Sequence, residues 1–139
     1  MKTQRNLQER VVGYILTRRD NELKNLTIYE LTKKIGASPG AVARMFRENL
    51  NTTFKSYKNQ EIATRISLLL KKQPYILMKT VARRFAFQDE ADLEKVFEDY
   101  FAISLSSYQA CIKNMKRRSL KSLQGIPGFP AGEFEMARN

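Results

Sequence analysis

The chain has 139 residues, 42 % of them hydrophobic and 28 % charged, enough apolar side chain for one domain or for two small ones sharing a core. Its formal net charge of +11 and pI near 10.0 favour polyanionic partners, with nucleic acid first and an anionic membrane surface second. One cysteine, Cys111, and no histidine exclude an internal disulfide, histidine-ligated metal and histidine acid–base catalysis, so no enzyme, metal or cofactor is expected.

The most apolar stretch, Ile66 to Leu70, runs at once into Lys71 and Lys72, too short to span a bilayer. The start of the chain also lacks an apolar signal segment, so the expectation is a cytoplasmic protein without a membrane partner. In chain order, Leu7, Val11, Val12, Ile15 and Leu16 recur at helical intervals and predict a first helix from about Gln4 to Arg19. Thr27 with Glu30 forms a capping-box pattern that opens a short helix through Ile35, and Gly36 provides a left-handed stop. Ser38 caps a third helix with Pro39 at its first position and Val42, Met45, Phe46 and Leu50 on one face.

A longer helix follows from Thr53 to about Lys72, ended by Gln73-Pro74. Leu77, Val81 and Phe85 mark a fifth helix, Asp89 caps a sixth carrying Leu93, Val96, Phe97 and Phe101, and Ser104 opens a seventh with Tyr108 and Ile112. Beyond Leu123, the breaker-rich stretch from Gly125 to Gly132 reads as a mobile tail. The chain therefore reads as all-α with about seven helices. Residues 1–52 form a first subdomain, 53–73 a linker helix, 74–118 a second subdomain and 119–139 a flexible tail.

An internal duplication organises this pattern. Ala43 to Tyr57 aligns without gaps on Glu94 to Tyr108 at an offset of 51, pairing Phe46 with Phe97, Thr53 with Ser104 and Tyr57 with Tyr108. Upstream the offset is 50, which pairs Leu31-Thr32 with Val81-Ala82 and Gly36 with Ala86. Two copies indicate a paired module and not a solenoid. Each copy carries the signature of a helix-turn-helix, in which the first helix buttresses the second so that its exposed start reaches major-groove base edges. In the first copy Leu31, Ile35, Val42 and Met45 form the buttress, and Ser38 to Arg47 the reading element.

The second copy reads Val81-Ala82-Arg83-Arg84-Phe85-Ala86-Phe87, then Leu93-Glu94-Lys95-Val96-Phe97, then Phe101-Ala102-Ile103-Ser104-Leu105-Ser106-Ser107-Tyr108. Over roughly Leu7 to Tyr108 the chain resembles the AraC/XylS family of bacterial transcription activators, in its short stand-alone type. The resemblance implies a monomer that binds double-stranded DNA with two recognition helices in successive major grooves. By position, Ser38, Gly40, Ala41, Ala43, Arg44 and Arg47 of the first unit and Gln88, Ala91 and Lys95 of the second would face DNA. Arg44 is the preferred base contact, because arginine can bind guanine bidentately. The helix starts at Thr53 and Ser104 suit phosphates through the helix dipole, or serve simply as caps.

The chain departs from the family pattern in places. The second recognition helix carries Asp89, Glu90, Asp92, Glu94, Glu98 and Asp99 against Lys95 alone, which opposes entry into a phosphate-lined groove. Glu90 or Glu94 could still accept from cytosine N4, while the simpler account has this acidic face meeting solvent or a protein. Ala86 and Ala102 replace the usual glycines, Leu105 a proline and Ile62 an arginine. Alanine held left-handed costs about 1 kcal/mol, so these turns are expected to be shaped differently. Lys113, Lys116, Arg117, Arg118 and Lys121 could track a polyanion, Phe87 reads as core, and Phe129 as a candidate partner anchor. The alternative to a DNA-binding regulator is an interaction module of the same fold that docks RNA polymerase or another regulator. A third reading, a sugar-regulator head of the RpiR type, rests on Leu26 to Leu31 and leaves the second copy unexplained.

Overall fold

The computed structural model describes the backbone of residues 2–124 and the side chains of residues 6–118. Among the described residues there are eight helices and no strand: α1 (Lys2–Leu16), α2 (Asp20–Leu23), α3 (Ile28–Ile35), α4 (Pro39–Asn49), α5 (Phe54–Lys72), α6 (Met78–Arg84), α7 (Glu90–Phe101) and α8 (Leu105–Gln124). No helix among them is long and apolar enough to cross a membrane.

Side-chain caps explain where five of these helices, α3, α4, α5, α7 and α8, start. Backbone amides of Glu30, Ala41, Ser56, Asp92 and Ser107 donate to the side chains of Thr27, Ser38, Thr53, Asp89 and Ser104, at 2.9–3.2 Å. Each cap satisfies one of the amides that the first turn leaves without a partner. The stops are equally local. Gly36, at φ 80°, ends α3, and its amide donates to the Thr32 carbonyl at 2.7 Å.

The duplication is therefore also a duplication of backbone geometry. Ala86, the counterpart of Gly36, adopts φ 64°; Ala102 (φ 57°) closes α7 left-handed, and its counterpart Asn51 (φ 53°) is left-handed just past Leu50, the cap of α4. The expectation that alanine would reshape these turns is overturned. The helix pairs on either side hold the chain in the turn, and the alanines bear the strain.

Two helix boundaries also differ from expectation. The first helix stops at Leu16, short of Arg19, and an additional helical turn, α2, makes eight helices where about seven were expected. The Arg65 guanidinium takes the carbonyls of Leu16 (2.9 Å) and Arg18 (2.7 Å), which ends α1. Glu22 then opens α2 through reciprocal bonds with the Arg19 backbone at 2.8 and 2.9 Å. At the other end α8 continues through Gln124, past the point where the tail was expected to begin. The stretch from Gly125 to Gly132, including Phe129, lies outside the described residues, as does the side chain of Lys121.

One continuous core runs through both units. Val11, Ile15, Leu31, Val42, Met45 and Phe46 lie in it with Ile62, Ile66, Leu70, Val81, Phe85, Leu93 and Phe97, all at 0–1 % exposure. Phe46 packs on Tyr57 (5.6 Å between ring centroids), and its counterpart Phe97 packs on Tyr108 (5.1 Å). The α5 helix is thus more than a spacer, since Ile62, Ala63, Ile66, Leu69 and Leu70 are buried and it packs extensively on α7. Removal of this much apolar surface from water is the principal force holding the two units as one body.

Candidate nucleic-acid interface

The first unit turns sharply at Gly36 and sends α4 outward. Val42, Met45 and Phe46 face the core, while Ser38, Gly40, Ala41, Ala43, Arg44 and Arg47 are exposed. Helical spacing produces this division, because the buried positions recur every three or four residues on one face. A Cβ built on Gly40 would meet nothing within 4 Å, so its glycine is not required by packing inside this chain. With Ala41 and Ala43 it leaves the start of the helix low in profile, which allows close approach by a partner. Exposed Lys33 and Lys34 on α3 add positive charge to the same unit. Arg10 donates to the Ile35 carbonyl, which fixes the end of α3 against α1.

Thr53 is exposed and Ser104 half-buried. The Thr53 hydroxyl is engaged by the Ser56 amide at 3.1 Å. The Ser104 oxygen accepts from the Ser107 amide at 3.1 Å and lies 2.7 Å from the Ser107 hydroxyl. Both side chains thus serve as caps, and the positive end of each helix dipole is what remains for an anion.

The second unit repeats the geometry with the opposite charge. Gln88, Ala91 and Lys95 are exposed, as are Asp89, Glu90, Asp92, Glu98 and Asp99, with Glu94 half-buried. Among the described residues none of these carboxylates joins an ion pair. Beside this acidic helix the turn forms an open cleft of about 480 Å³, lined by Lys79, Ala82, Arg83, Phe87, Gln88, Asp89 and Glu90. Phe87 is 7 % exposed and belongs to the core. On α8, Gln109 holds the α5–α6 connection through the carbonyls of Pro74 (3.0 Å) and Ile76 (2.7 Å), and Lys113 lies over the Tyr75 ring. Arg117 and Arg118 are exposed.

The residues that set the two units relative to each other escaped the sequence reading. Asp20 of α2 receives Arg65 of α5 at 3.1 Å and Arg84 of α6 at 3.0 Å. Lys24, just after α2, donates to the carbonyl of left-handed Ala86 at 3.2 Å and lies 5.0 Å from the Phe87 ring centre. The Lys58 ammonium donates to the carbonyls of Lys24 and Leu26, both at 3.0 Å. Its half-burial, aided by the like charge of Lys55, pushes its pKa below the ordinary lysine range. Burial, with Glu61 adding to it, raises the pKa of the neighbouring Tyr57 hydroxyl. One signal was present, an arginine at position 65 among the apolar residues of α5 (Ile62, Ala63, Ile66), where a charge needs a partner.

No family model matches the chain. Among curated proteins it is similar to the Msm operon regulatory protein of Streptococcus mutans, with 27 % identity over 90 residues. The match takes in 65 % of this chain and 32 % of that protein, so the chain spans about a third of its relative. The fold is similar to the C-terminal domain of AraT, a response regulator of Geobacillus stearothermophilus. That likeness has a TM-score of 0.68 at 17 % identity, over 76 % of this chain and 84 % of the other. It is also similar to the C-terminal domain of the two-component response regulator YesN of Fusobacterium nucleatum. There the TM-score is 0.62 at 22 % identity, over 75 % of this chain and 98 % of the other. With two helix pairs that turn through left-handed Gly36 and Ala86 and share the core of α5, the chain has the fold of these two response-regulator domains.

Proposed function

We propose that this protein is a sequence-specific regulator of transcription that binds duplex DNA through α4 in the major groove. The observation that carries the reading is the outward face of α4. Arg44 and Arg47 stand exposed beside small residues, while the opposite face is locked into the core. A rigidly buttressed helix with a low, basic surface matches what a major groove accepts. The +11 net charge supplies the long-range attraction. In this reading the protein acts in the cytoplasm as a monomer, and Arg44 makes the principal base contact, with Arg47 and the starts of α5 and α8 near phosphates.

A second reading applies to α7. Its unpaired carboxylates oppose a phosphate-lined groove and suit a basic protein surface, either on RNA polymerase or on another regulator. The two readings combine if the first unit holds DNA and the second meets a protein.

The deciding experiment selects sites from a random duplex library and then titrates the selected and scrambled duplexes over a salt series. The expected result is tighter binding to the selected duplex. Log affinity should fall linearly with log salt, with a slope of about −0.9 per phosphate neutralised. Binding that is absent, or that does not respond to salt, overturns the reading.

A further inference from the structure

Besides the shared apolar core and the Lys58 bonds to the Lys24 and Leu26 carbonyls, three contacts join the two units, and these differ in leverage. The first is the covalent joint at Thr53, where Phe46 also packs on Phe54 and Tyr57 of the opening turns of α5. The second and third lie far along the molecule. Arg65 sits twelve positions beyond Thr53, roughly 18 Å along the helix axis at 1.5 Å per residue. There α2 reaches it through Asp20, and the same carboxylate goes on to Arg84 of α6, while Lys24 closes on the Ala86 carbonyl. Contacts near a joint fix its position but resist swing weakly, whereas contacts distant from it resist swing strongly.

The packing divides along this line. In the first unit α1 packs on α3 and α4, while α5 packs chiefly on α7. The α2 turn packs on both α5 and α6. We infer that α2 is an orienting clamp, with Asp20 and Lys24 as positioning residues that hold the second helix-turn-helix at one angle to the first. Neither side chain is among those that the proposed reading places on DNA. Arg65 is 16 % exposed and Asp20 28 %, so their pair is sheltered more than an ordinary surface bridge. Ala86 adds a reason for the clamp to end at that turn. Its carbonyl belongs to the strained left-handed residue that sets the angle between α6 and α7, so Lys24 grips the turn that aims the second recognition helix.

The consequence for function rests on the reading proposed above. With α4 on DNA, the clamp fixes where α7 lies along the duplex, whichever partner α7 meets.

The test uses the full chain with Cys111→Ser and spin labels on Ala43→Cys and Ala91→Cys, which are exposed positions on α4 and α7. Pulsed electron resonance should give a narrow distance distribution for this parent. With Asp20→Ala and Lys24→Met added, the distribution should widen to about twice the parent's width or more, as expected when a fixed linkage becomes a hinge. Lys24→Arg, which retains a donor for the Ala86 carbonyl, should keep it narrow. Far-ultraviolet dichroism of the clamp variant should match the parent. If that variant does not fold, the parent in molar potassium chloride is measured instead and should broaden as the Asp20 pairs are screened. A distribution as narrow as the parent's overturns the clamp.

A second arm attaches iron-EDTA at Ala91→Cys and maps cleavage of a bound duplex. The parent should cut a confined window beside its footprint, and the clamp variant a window at least about twofold wider, again as a hinge requires. A parent that binds no DNA sinks the proposed function alone, because the distance distributions judge the clamp independently. A broad distribution with an unchanged cleavage window overturns the claim that the clamp aims α7 on DNA.

Discussion

Arg44 and the two left-handed alanines show how much rests on individual side chains. Arg44 stands exposed on α4 with no intramolecular hydrogen bond or ion pair among the described residues, so its donors are available to a base edge. Arg44→Ala is expected to cost about 1–3 kcal/mol of discrimination between selected and scrambled duplexes, with a smaller loss on scrambled DNA. Paired titrations at one salt concentration would read this, and an equal loss on both duplexes would assign Arg44 to phosphate. Ala86 and Ala102 hold positive φ without glycine's freedom. Ala102→Gly should therefore stabilise the fold by about 1 kcal/mol, less any entropy that glycine adds to the unfolded chain, and a thermal melt would detect it. Tyr57 has a testable sign as well. Its folded pKa is raised, so its contribution is complete below the ordinary tyrosine range and is lost as pH rises through the folded value. In alkaline melts Tyr57→Phe should lose less stability with rising pH than the parent, and parallel slopes would refute the assignment.

The helices owe their boundaries to side chains that the sequence displays openly. Ser38, Thr53, Asp89 and Ser104 cap four of them. The two pairs fall at equivalent places in the repeat, Ser38 with Asp89 and Thr53 with Ser104. Ser38→Ala should cost about 1 kcal/mol in a denaturant titration, because the Ala41 amide loses its partner at the start of α4. The acidic α7 supports a prediction of another kind. If its carboxylates face a protein, Asp92→Lys with Glu94→Lys should abolish co-purification of that partner and leave DNA affinity within about twofold, since opposed charges set partner choice more than fold. A marked rise in DNA affinity would instead place α7 beside phosphates. The α2 turn was not legible in the same way. Its four residues are too few to show an apolar period, and its capping bond is made to a backbone group of Arg19.

Taken together, the eight helices form one body with a divided charge. A single core joins the units, α2 braces them at a distance from their joint, and positive charge gathers around α4 while α7 carries the opposite sign. Such an object can hold a polyanion on one side and still present an acidic helix to a second partner at a fixed angle.

The all-helical class, the duplicated helix pairs, the caps and the outward face of α4 could be read from residue spacing alone. Each depends on contacts within a few positions along the chain, and the 3.6-residue period together with side-chain-to-backbone capping encodes such contacts directly. The burial of α5 against α7, the bridge from Asp20 to Arg65 and Arg84, and the left-handed alanines came from the folded state. They join residues as far apart as positions 20 and 84, or force a residue into a conformation that its own preference opposes. Only packing across the chain can outweigh local preference in that way, which is why the orientation of the two units belongs to the three-dimensional arrangement of the helices.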